Sequence, residues 1–218
     1  MIGAVIAMQS EADILLEQMQ IFRTLKVSGK EIHVGKAFSK ETVVCVCGVG
    51  KVNAALGAQL LISKFDVKTL LNFGVAGGLN EGTKLCAVYQ IGEATQFDFD
   101  LAELNGTQIG TLNEYEESYL KLSKLNLPFE SKKLGTADRF NDSKADFELL
   151  TNELKADIRD MEGGAIVQAA YAAELPVYSF KAISDVAGSG STTEQFLQNK
   201  NAALENLKAA LPIIFEKL

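Results

Sequence analysis

The chain has 218 residues, 47% of them hydrophobic and 22% charged, with a formal net charge of −7. That is enough apolar material for one sizeable core, and no shift in composition marks a boundary, so the expectation is a single domain over 1–218. The acid excess argues against a nucleic-acid partner, which needs clustered Lys and Arg for phosphates, and a neutral or cationic small molecule is the easier ligand.

In chain order, Ile2-Gly-Ala-Val-Ile-Ala7 is a continuous apolar run, as expected of a strand buried on both faces. Ser10 and the acids after it open a helix with Ile14, Leu15 and Met19 on one face. Strands follow near 24–27, 31–38 and 42–47, close enough in sequence to form an antiparallel insertion, and then a helix over 51–65. Strands are predicted at 69–73 and 85–92, an irregular polar stretch at 97–112, and a helix over 113–125. A strand at 130–136, helices at 143–154 and 161–174, a strand at 177–183 and a terminal helix from a Thr192 cap to about 216 complete the set. This alternation predicts an α/β fold of three layers, αβα, around a mixed, mostly parallel central sheet.

Cys45 and Cys47 alternate within one strand, so both face the same way and read as reduced core thiols. With Cys86 and a single histidine, His33, there is neither a disulfide framework nor a zinc ligand set, and no metal or cofactor is expected. The apolar run at 1–8 is too short for a secretory signal, and no 18-residue apolar stretch occurs. The expectation is a cytoplasmic protein with no membrane partner.

In open α/β sheets ligands bind beyond the carboxyl ends of the strands, which here read Ala7-Met-Gln-Ser-Glu11, Cys47-Gly-Val-Gly-Lys51, Gly74-Val-Ala-Gly-Gly78, Gly135-Thr-Ala-Asp-Arg-Phe140 and Ser184-Asp185. Gly48-Val-Gly-Lys51 has neither phosphate-loop nor dinucleotide spacing. Its glycines read as places where backbone passes close to backbone or ligand, with anion binding the lesser alternative. Glu11, in a first helical turn, is by itself more often a surface acid facing the helix dipole than a catalyst, and the same discount applies to Glu162 and Asp185. Three acids at three strand-to-loop junctions are harder to dismiss.

Six segments then carry a resemblance: Ala7-Met8-x-x-Glu11, Gly48-Val-Gly-Lys-Val52, Gly74-Val-Ala-Gly-Gly-Leu79, Asp160-Met-Glu-Gly163, Lys181-Ala-Ile-Ser-Asp-Val186 and Glu194-Gln-Phe-Leu197. Their order and spacing resemble the successive signatures of the 5′-methylthioadenosine/S-adenosylhomocysteine nucleosidase family, within the nucleoside phosphorylase superfamily. The resemblance implies an α/β domain with a distorted central sheet, an adenine nucleoside substrate, no cofactor and a homodimer. It also implies that Asp185 donates a proton to purine N7, oriented by Ser184; that Glu11 activates water; and that Glu162, beside Met161, binds the ribose hydroxyls. Phe140 would stack on the base, and Met8, Val49, Leu101, Met161 and Phe196 would line an apolar 5′ slot.

Lys181, Val75, Phe97 and Thr193 depart from common members, which have Arg, a hydroxyl residue, His and Phe there; Lys181 and Val75 bear on how the water is held, Thr193 on the polarity of the 5′ pocket. Three other readings stay open: a hydrolase of another modified nucleoside such as futalosine, a phosphate-dependent phosphorylase, and a non-catalytic nucleoside binder. The phosphorylase reading is disfavoured because Arg23, Arg139 and Arg159 are the only arginines and none lies in the glycine-rich segments.

Overall fold

In the computed structural model, which describes residues 1–140 and 142–218, all ten strands belong to one sheet. Strand β1 (Ile2–Ile6) is apolar and buried at every position and lies parallel to both β4 (Lys40–Val46) and β5 (Thr69–Gly78). Beyond β4, β3 (Lys30–Ala37) and β2 (Met19–Val27) continue the sheet as the expected antiparallel insertion.

On the other side of β1 the sheet closes on itself. β5 runs parallel to β10 (Val177–Val186), β10 antiparallel to β6 (Val88–Gln96), β6 parallel to β8 (Ser131–Thr136), β8 parallel to β9 (Ile158–Asp160), and β9 antiparallel back to β5. One half of the sheet is therefore open and the other is a five-stranded ring, which is how the central sheet is distorted.

Side chains of β1 alternate between two cores, as a two-residue period requires. Ala4 and Ile6 meet Leu15 of α1 (Gln9–Leu16) and Leu211 and Phe215 of α6 (Thr192–Lys217). Val5 faces Ala58 and Leu61 of α2 (Lys51–Lys64) and the core shared with Ile166 and Ala170 of α5 (Gly163–Ala172). The three predicted layers follow. Cys45 and Cys47 are buried together in the second core.

The helix expected over 113–125 does not form. Leu120 and Leu122 are buried on either side of exposed Lys121, a strand-like period. Leu120–Lys121 (β7) pairs with Glu93 and Ala94 of β6, and the Tyr171 hydroxyl bonds both backbone groups of Lys121. A sheet edge with free pairing groups outcompetes a helix that could bury only a narrow stripe. The strand expected at 85–92 lies at Val88–Gln96, and those expected at 69–73 and 177–183 run on to Gly78 and Val186, because the two pair in parallel along their whole length. The stretch expected to be irregular at 97–112 holds a single short helix, α3 (Ala102–Asn105), and the helix expected over 143–154 is a short α4 (Lys144–Glu148) continuing into a π turn, Leu149–Glu153. Ser191, not Thr192, caps the terminal helix, its Oγ accepting from the Glu194 amide at 3.4 Å. Among the described residues no helix is long and apolar enough to cross a membrane.

Candidate active site

The carboxyl ends of β1, β4, β5, β8, β9 and β10 frame a cavity of about 400 Å³. Met8, Glu11, Val49, Val75, Phe140, Met161, Glu162, Ser184 and Asp185 all line it, so residues spread over most of the chain meet in one place. The three acids are nearly buried: Glu11 is 3%, Glu162 8% and Asp185 2% exposed, which removes the surface-acid reading.

Each acid is held differently. Glu11 Oε2 accepts from the Met8 amide at 3.1 Å and Oε1 from the Val75 amide at 2.9 Å, so the carboxylate spans the start of α1 and the tail of β5. Gly74 makes this possible, because a methyl there would collide with the Glu11 carboxylate. Burial raises the Glu11 pKa, against the pull of Lys181 and the two amides. Glu162 Oε1 accepts from the Gly50 amide at 2.8 Å. Burial, then the charge of Asp160, pushes Glu162 to about 7, against Lys181 and the Gly50 amide.

Asp185 is one-sided. Its Oδ2 accepts from the Ser184 hydroxyl at 2.8 Å, while Oδ1 is buried without a partner and lies beside Gly77, where a Cβ would be 2.7 Å away. Burial raises its pKa, opposed by the Ser184 hydrogen bond and by Arg159. When protonated, a carboxyl with an open oxygen facing a cavity can donate to an acceptor placed there.

Lys181 is among the expected substrate-binding residues, but the structure places it behind the cavity wall. It is 2% exposed, and its Nζ pairs with Asp160 Oδ2 at 2.9 Å. Asp160 is in turn fixed by the Thr136 hydroxyl at 2.6 Å and the Gly163 amide at 2.8 Å. Burial alone would lower the lysine pKa, yet Asp160, Glu162 and Glu11 together raise it, so it stays charged beneath the acids. Its ammonium touches no cavity surface because Asp160, which the sequence reading left unassigned, takes it.

The turn at Gly48–Lys51 is no anion site. Gly48 and Gly50 have φ of 93° and 100°, which favours glycine, and the amides of Gly50 and Lys51 are spent on Glu162 and on Asp138 Oδ1 (2.7 Å). Lys51 Nζ pairs with Asp98 Oδ1 at 2.5 Å, tying down the same rim. Phe196 joins the cavity, edge-on to Phe140 with centroids 5.6 Å apart. Leu101 is not among its lining residues in this chain, and Thr193 is exposed on the first turn of α6, so neither shapes the pocket as expected. Arg139, Arg159, Ala76 and Gly77 were missed. Gly77 and Arg139 lay in strand-end segments already noted, but Arg159, a single arginine outside any motif, gave no signal.

A profile of the phosphorylase superfamily matches residues 1–216. A 5′-methylthioadenosine/S-adenosylhomocysteine nucleosidase from Listeria innocua is 30% identical over 206 residues, covering 88% of each chain. The chain belongs to this nucleosidase family. The Helicobacter pylori 5′-methylthioadenosine/S-adenosylhomocysteine nucleosidase with butyl-thio-DADMe-Immucillin-A superposes with a TM-score of 0.91 at 25% identity, covering 100% of this chain and 98% of that one. A futalosine hydrolase from the same organism superposes equally well, TM-score 0.91 at 24% identity over 100% and 97%, and shows the shared fold. A member of this nucleosidase family is an enzyme, an N-ribosyl hydrolase.

Proposed function

We propose that this chain hydrolyses the N-glycosidic bond of 5′-methylthioadenosine, S-adenosylhomocysteine or both, releasing adenine and the 5-thioribose product. The observation that carries the reading is the pairing of one open, buried carboxyl oxygen on Asp185 with two carboxyls held by backbone amides, Glu11 on both oxygens and Glu162 on one, around one cavity.

The reaction needs a proton delivered to the leaving purine, a water relieved of its proton, and negative charge beside an oxocarbenium-like sugar. Asp185 donates through Oδ1 to purine N7 as the C1′–N9 bond breaks and its electron pair moves into the ring. Ser184 keeps Oδ2 occupied, which fixes the orientation of the carboxyl. Glu11 takes a proton from the water whose oxygen forms the new bond to C1′. Burial raises its pKa above the ordinary carboxylate value, which makes it the stronger base. Glu162 accepts from the ribose hydroxyls and supplies charge near the sugar cation. Phe140 stacks on the base, and Met8, Val49, Met161 and Phe196 offer an apolar wall to the 5′-alkylthio group.

Water rather than phosphate is the nucleophile because a dianion at the sugar would meet Glu11 and Glu162, the cation behind them is already paired with Asp160, and Arg159 lies by Asp185 at Gly77 and not by those two acids. Arg139 lines the cavity but is spent on Asp146 at 2.7 Å. A homodimer is part of this reading, supported by the exposed apolar side chains of Val49, Val52 and Leu56, the last two one turn apart on α2. Incubating the protein with methylthioadenosine, with and without phosphate, tests it. Free adenine at the same rate in both is expected. A phosphorylated sugar product would convert the reading to phosphorolysis, and no product would leave a binding protein.

A further inference from the structure

Three charged groups on the cavity wall take no part in the reaction above; Arg139 is paired with Asp146 and Asp160 with Lys181, which leaves Arg159. It projects from β9 between this cavity and a second one, of about 430 Å³, lined by Asp142, Ser143, Ser191 and their neighbours, and it borders both. Its only hydrogen bond among the described residues is a long one, from Nη2 to Thr192 Oγ1 at 3.3 Å, and it forms no ion pair within 4 Å. Most of its five donors are free.

Arg159 and the open oxygen of Asp185 also share a patch. Both crowd the same face of Gly77, where an added Cβ would lie 2.7 Å from Asp185 Oδ1 and 3.2 Å from Arg159 Nε. N7 and the substituent at C6 lie on one edge of a purine. Adenine shows a donor at that substituent, and a 6-oxopurine shows an acceptor. With N7 on Asp185 Oδ1, the substituent falls to the next group along the wall. Asp185 Oδ2 is held by Ser184, and the side-chain donor that shares the Gly77 patch with Oδ1 is Arg159. A guanidinium donates only, and it matches an oxo group.

We propose that Arg159 reads the 6-position of the bound purine, and that the site therefore accepts 6-oxopurine ribosides as well as 6-aminopurine ones. Arg159 is half-buried and long, so with a 6-amino group it turns into the second cavity, towards Asp142. The bonds made and broken are those of the adenine reaction, with hypoxanthine leaving in place of adenine. The proposal rests on Asp185 as the N7 acid.

The test is kcat/KM for 5′-methylthioadenosine and 5′-methylthioinosine, with the wild type, Arg159→Met and Arg159→Lys. The ratio of the two cancels any effect of Arg159 on Asp185, which both substrates share. The wild type is expected to cleave the oxo substrate within about a hundredfold of the amino one. Arg159→Met should shift the ratio against the oxo substrate by about tenfold or more, the loss of a charged hydrogen bond, and Arg159→Lys should restore part of it. If the wild type cleaves methylthioadenosine but leaves methylthioinosine further behind, or if the Met variant moves the ratio less than about threefold, the proposal is overturned. If the wild type cleaves neither, the nucleosidase reading itself has failed. Should Arg159→Met fail to fold, wild-type binding of hypoxanthine against adenine decides it, and adenine binding more than about a hundredfold tighter overturns the proposal.

Discussion

The two ends of the cavity are built on opposite principles. At the end proposed for the base, Asp185 has one oxygen held by a hydroxyl and one buried with no partner among the described residues, beside a half-free arginine. At the sugar end, Glu11 is clasped by two backbone amides and Glu162 by one, over a buried Lys181–Asp160 pair. Backbone amides favour the ionised carboxylate, while an orphaned oxygen in a dry pocket favours the protonated one. Burial raises all three acids, and in the proposed mechanism it is the open oxygen of Asp185 that marks the donor and the amide-held Glu11 and Glu162 that are the acceptors.

The hardest test of that division is Asp185→Asn, which keeps the shape and the Ser184 contact but removes the proton. Adenine release should fall about 10³- to 10⁴-fold with the melting temperature little changed, and a variant retaining a tenth of the wild-type rate would place the acid elsewhere. Glu11→Gln should cost about 10²- to 10³-fold in turnover, read in the same assay, since the amide cannot take the proton from water. Lys181→Met probes the support beneath the sugar end. It leaves Asp160 buried and unpaired, so denaturant unfolding should report a loss of about 3–5 kcal/mol.

The smallest effect is also the most diagnostic for sign. The folded chain holds Glu162 at about 7 against an ordinary 4.5, so the native state binds that proton more tightly than the unfolded one. Stability from this group therefore falls as pH rises from about 4.5 and is fully lost above about 7. Glu162→Gln, which can still accept from the Gly50 amide, should melt higher than the wild type at pH 8, with the gap closing towards pH 4.5. A gap that widened on acidification would contradict the assignment.

Most of the site could be read from sequence because its acids sit beside short, specific wordings at strand ends: Asp160-Met-Glu-Gly163, Ser184-Asp185, and Met8 three residues before Glu11. A continuous apolar run likewise marked β1, which is buried on both faces, and period-3.6 patterns marked α2 and the long terminal helix, each of which buries one. The errors were of another kind. Residues 113–125 carry a local pattern that the free edge of β6 overrode, and Gly74–Gly78 read as a loop although parallel pairing with β10 draws it into the strand.

Sequence alone pointed to the layers, to the family and to the three acids as candidates, since hydrophobic period and motif wording are local properties. The tertiary structure decided the rest. It closed half the sheet into a ring, withdrew Lys181 behind Asp160, left Asp185 with an open oxygen, and brought Arg159 to its side across Gly77. Those outcomes depend on which distant residues meet, and on which hydrogen-bond partners are left over once the backbone has taken its share.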